Sequence, residues 1–145
     1  MNRLASAIVR VHAGLAVLLA WPADPVLAQV QSLVGRWTWT RPVNKCTETY
    51  VYRRDGTFTV TSGKEVASGR YEVSGTPDDN GFFTLTGRTL RTNGGRDCSD
   101  AGSTATELAK PYTVYVAFHR TEPMHLVCYE ATLENCFGPL RRVGK

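Results

Sequence analysis

The sequence predicts an all-β chain, folded as a small antiparallel up-and-down barrel of about eight strands, and three observations carry that expectation. Beyond the first 28 residues no segment keeps a 3.6-residue apolar period. Threonine, valine, tyrosine and phenylalanine recur instead in short runs cut by glycine and polar turns. Within these runs apolar residues alternate with polar ones, so each strand has one apolar side. A meander of such strands buries that side and loses its exposed edges by closing on itself, which favours a barrel; a two-sheet β-sandwich is the alternative.

The elements follow in chain order. Residues 1–28 read as an export signal peptide: Arg3 and Arg10 precede or flank the apolar run from Val11 to Ala20, and Val26-Leu27-Ala28 ends on a small residue suited to processing. An uncleaved N-terminal anchor is the alternative, and no cysteine follows the run to carry a lipid. Residues 29–145 then form a single domain in the periplasm or outside the cell, with no stable membrane span after processing. Strands are expected at residues 34–40, 47–53, 57–61, 67–74, 81–85, 88–91, 112–119 and 125–129. Asp55-Gly56 is the strongest hairpin signal, with further turns at 62–64 and 77–81. Trp37 and Trp39, Phe58 and Val60, Tyr71 and Val73, and the row Tyr112, Val114, Val116 and Phe118 mark the buried sides. Of adjacent Phe82 and Phe83, one is expected outside the core. Residues 92–109 form a long loop, with Thr104 and Glu107 spaced as in a capping box for one helical turn. Pro139 and residues 141–145 read as a loosely attached tail.

All four cysteines, Cys46, Cys98, Cys128 and Cys136, follow the leader, an even count that suits two disulfides in an oxidising compartment. Three pairings are open; the one expected joins Cys128 to Cys136 across a short segment and Cys46 to Cys98 across a long one. Neither a Cys-x-x-Cys step nor a spaced Cys/His cluster supports zinc. The chain holds 17 Lys and Arg against 13 Asp and Glu, without a basic block. That balance favours at most a loose affinity for anionic surfaces or ligands. Nucleic acid is not an expected partner, because the doublets Arg53-Arg54 and Arg141-Arg142 stand apart and read as solvated faces.

The segment Leu33-Val34-Gly35-Arg36-Trp37 resembles the Gly-x-Trp start of the first strand in lipocalin-like barrels. The segment from Tyr50 to Phe58, with its Asp55-Gly56 turn, is similar to that of small exported bacterial members of the group. The resemblance implies that Trp37 sits at the closed end of a barrel and that a late-strand arginine packs over it. Arg120 is the residue expected in that place, through a cation–π contact. It further implies that the open end receives a small apolar molecule.

Chemistry leaves few sites. His119 and His125 are the only histidines after the leader, and neither lies near a Gly-x-Ser-x-Gly elbow. If residues 121–123 centre a hairpin, the two imidazoles face one another as a weak two-ligand metal site; the plainer reading is a pair of partly exposed strand-end histidines. Asp97 and Asp100 lack the spacing of a calcium loop, and Gly94-Gly95 is not followed by the residues of a phosphate loop. The expectation is therefore a non-enzymatic binding protein, without catalytic or metal-ligating residues and without a cofactor. Its partner is a small apolar or amphiphilic ligand held inside the barrel. The alternative is a protein-interaction or inhibitor domain that meets an envelope protein through its surface loops.

Overall fold

The computed structural model describes residues 32–104 and 107–144; the expected leader and its processing site lie outside the described residues. Eight strands make a closed antiparallel barrel in simple sequence order: β1 (Gly35–Thr40), β2 (Thr47–Tyr52), β3 (Thr57–Ser62), β4 (Glu65–Val73), β5 (Phe83–Thr92), β6 (Pro111–Phe118), β7 (Met124–Cys128) and β8 (Cys136–Arg142). Among the described residues no helix is long and apolar enough to cross a membrane.

Alternation builds the core. Trp37, Tyr52, Phe58, Tyr71, Phe83, Leu85, Val116, Val127 and Leu140 point inward from all eight strands, while the residues between them face out. The β2–β3 turn follows its sequence signal. Gly56 takes φ 76°, and the Asp55 carboxylate accepts hydrogen bonds from the Thr57 amide (3.0 Å) and hydroxyl (2.7 Å). Those two bonds hold the Asp55 carboxyl below its usual range.

Three expectations are corrected. Residues 81–85 and 88–91 are not two strands: β5 runs unbroken through Gly87, where a side chain would overlap the ring and hydroxyl of Tyr112. The supposed tail is β8, which pairs with β7 and with β1 and closes the barrel. Gly138 and Pro139 sit in a bulge opposite Leu126, between the pairs Val127 with Phe137 and His125 with Leu140. A bulge is where a strand tolerates a proline without a ladder donor. Phe82 and Phe83 are both buried, because the Asp78 side chain accepts the amides of Asn80 and Phe82 and folds the turn inward.

Cys46 is joined to Cys98 and Cys128 to Cys136. Both bridges lie at the same end of the barrel, called here the stapled end; the chain enters β1 at the opposite, N-terminal end.

Candidate functional site at the stapled end of the barrel

The N-terminal end is largely covered, with a cleft of about 220 Å³ left between Leu33, Tyr71, Val73, Phe83 and Phe118. Trp37 is fully buried and donates from Nε1 to the Leu33 carbonyl (2.7 Å), drawing residues 32–34 across the opening. The arginine over its ring is Arg142, 4.4 Å from the centroid, and not Arg120, which is exposed in the β6–β7 turn. Register explains the choice: β8 pairs with β1 so that Arg142 faces Trp37 directly. The same guanidinium donates to the carbonyls of Val34 (2.9 Å) and Ser32 (2.5 Å). Gly35 completes the arrangement, since a side chain there would overlap that guanidinium. The Gly-x-Trp spacing thus makes a seat for an arginine from the last strand.

His125 packs edge-on against Trp37, with ring centroids 4.3 Å apart, and touches Phe118. It is buried, and neither ring nitrogen has a hydrogen-bond partner. Burial and the neighbouring Arg142 cation push its pKa down to about 3, so the ring is neutral. His119 lies outside, its Nδ1 accepting the Glu122 amide at 3.0 Å. The two histidines are not opposite: β6 and β7 pair Phe118 with His125, which sends one ring inward and leaves the other at the turn.

The stapled end is built differently. Its inward-facing apolar side chains, Trp39, Tyr50, Val60, Val114 and Phe137, are only partly buried; nearer the N-terminal end Trp37, Leu85, Val116 and Leu140 are fully covered, while Phe118 is partly buried and Val73 is exposed. Trp39, Phe137 and Tyr129 form an aromatic row from the interior to the rim, with successive ring centroids 5.2 and 6.2 Å apart. Tyr112, from β6, leans over its cross-strand partner Gly87 on β5, and desolvation pushes its phenol up to about 12 although part of the side chain is exposed.

One wall of this cup is polar. Glu48 and Glu65 are buried at the mouth beside Ser62 and Thr92. Tyr50 donates its hydroxyl to Glu48 Oε2 (2.5 Å), and burial together with this carboxylate pushes the phenol far above its ordinary range. The long loop folds over the same wall. The Cys98 amide donates to Ser62 Oγ (3.0 Å), the Ser103 amide to Glu65 Oε1 (2.9 Å), and Asn44 to the Cys98 carbonyl (2.7 Å). Asp97 accepts the amides of Ser99 and Ala101 and so shapes the loop itself. Thr104 and Glu107 meet as their spacing predicts, the Glu107 carboxylate accepting the Thr104 amide at 2.8 Å.

Fold and site together define a class, a closed eight-stranded up-and-down barrel with an arginine-capped tryptophan at one end and both disulfides at the other. Compared with known protein families, with curated proteins and with solved structures, the chain finds no match in any of the three. Sequence reading placed Trp37 and the cysteines but missed Glu48, Glu65 and Phe137. Their signal was alternation within β2, β4 and β8, and for β8 the strand itself went unrecognised.

Proposed function

We propose that the chain is an exported, non-enzymatic binding protein for a small apolar or amphiphilic molecule, a lipocalin-like barrel whose ligand enters the stapled end. One observation carries the reading. Trp39, Tyr50, Val60, Val114 and Phe137, which point into the stapled half of the barrel, are all only partly buried, whereas in the other half Trp37, Leu85, Val116 and Leu140 are fully covered and only Phe118 and Val73 of the inward row are left partly open. Apolar surface left wet inside a closed barrel is a standing driving force for an apolar guest. The polar wall of Glu48, Ser62 and Glu65, already hydrogen-bonded to Tyr50, Thr92 and the long loop, sets one side of the mouth as polar against the aromatic row.

The test is titration with the fluorescent apolar probe N-phenylnaphthylamine. Saturable binding that is lost when Val114→Trp fills the cup supports the proposal, with near-ultraviolet circular dichroism verifying that the variant is folded. Binding that is absent, or unchanged in the folded variant, refutes it.

A second reading rests on the rim. Val43 (92% exposed), Leu133 (67%) and Tyr129 (59%) stand on the β1–β2 and β7–β8 loops, which the disulfides fasten and which are neighbours around the barrel. Fixed loops presenting apolar tips suit contact with an envelope protein.

A further inference from the structure

The charge pattern of the outer wall points to a second site, remote from the cup. In sequence the arginines of the middle of the chain lie scattered, but register gathers them. On the outward side of β3, β4 and β5, Thr57 pairs with Arg70 and Arg70 with Arg88. In the adjacent row Thr59 pairs with Ser68 and Ser68 with Arg91. Arg53 reaches that second row from the end of β2, its Nη1 donating to Thr59 Oγ1 at 3.1 Å.

A bulge makes this possible. Ser68 pairs with Arg91 while its neighbour Gly69 pairs with Thr89, so Leu90 is the extra residue in β5. Strict alternation would turn Arg91 inward once Arg88 faces out; the bulge returns it to the outer wall. Two arginines directly opposite one another repel, and such a pair is ordinarily selected against. Among the described residues the only ion pair is that of Arg141 with Glu122; Asp55, whose carboxyl the Arg53 charge helps to lower, and Glu72 stand near the cluster but outside ion-pair distance of its four arginines. Beside them opens a cleft of about 420 Å³ lined by Asp55, Arg70, Glu72, Thr86, Arg88 and Leu90.

We propose that this arginine cluster is a binding site for a phosphate group. A phosphate offers more acceptor oxygens and more charge than a carboxylate, enough to take forks from both rows and the Thr59 and Ser68 hydroxyls between them, the Thr57 hydroxyl being given to Asp55. The phosphate belongs either to a soluble molecule or to a lipid head group, and the chemistry at the wall is the same. The site is independent of the cup: its residues face the other side of the sheet.

The experiment compares the protein with Arg70→Gln/Arg88→Gln, and with Lys64→Gln/Arg96→Gln as a control that removes the same charge at the stapled end. Binding is measured at low ionic strength to pyrophosphate, and to phosphatidylcholine vesicles with and without phosphatidylglycerol. Saturable binding to pyrophosphate, weakened about tenfold or more in the first variant and unchanged in the control, supports a soluble phosphate ligand. The same pattern with phosphatidylglycerol vesicles alone supports a head group. The first variant is also expected to melt no lower than the parent, because it relieves a like-charge pair. Absence of binding to either probe, or equal weakening in the control, overturns the proposal.

Discussion

Arg142 joins three parts of the N-terminal closure, holding two carbonyls of the incoming segment and covering the Trp37 ring. Arg142→Ala is expected to cost about 2–3 kcal/mol in urea unfolding, and Arg142→Lys to recover little because an ammonium lacks the fork. Arg120→Ala, at an exposed turn, is expected to stay within about 0.5 kcal/mol of the parent. His125 governs the acid response. Its pKa falls from 6.5 to about 3 on folding, so between these values the unfolded chain binds a proton that the folded one refuses. Stability from this residue is complete above pH 6.5 and declines by about 1.4 kcal/mol per pH unit as the pH falls toward 3. The lowered carboxylates Asp55, Asp97 and Glu107 have ordinary values of 3.8, 3.8 and 4.5, so they act at lower pH. Between pH 6.5 and pH 5 the slope is therefore assigned to His125. Thermal unfolding of His125→Phe across that window is expected to show a flattened slope, and at neutral pH a stability equal to or above the parent, since two unpartnered ring nitrogens are removed.

At the level of elements, the two bridges differ in reach. Cys46 and Cys98 are 52 residues apart and Cys128 and Cys136 only 8, so chain entropy predicts losses of about 4 and about 2.5 kcal/mol on conversion of each pair to alanine. Urea midpoints of the two double variants give the order directly. The same level shows what the sequence made legible. β1, β2, β3, β4, β6 and β7 were readable because alternation runs through each and turns separate them. β8 was not, because Gly138-Pro139 reads as a breaker, and the bulge in β8 that accommodates it shows only once β8 is set against Leu126 of β7. β5 was split at Gly87, whose smallness answers to Tyr112 on β6 and not to any local turn. The candidate site suffered likewise: Trp37 announced itself through Gly-x-Trp, while its arginine depended on the pairing of first and last strands.

For the whole molecule, the asymmetry between the ends is the feature that matters. One end is covered by Leu33, Trp37 and Arg142 and leaves Phe118 partly open; the other is held in shape by both disulfides and leaves the larger group of Trp39, Tyr50 and Phe137 partly wet. A ligand bound there is expected to raise the melting temperature with the logarithm of its concentration above Kd, and to protect the long loop from proteolysis. The most direct test is intact-mass spectrometry under non-denaturing conditions on protein purified from the cells that make it, repeated after denaturation without reductant. The account predicts a native species heavier by one small apolar molecule, released on denaturation and missing from folded Val114→Trp. A native mass equal to that of the bare chain, in a preparation that also fails to take up N-phenylnaphthylamine, contradicts it.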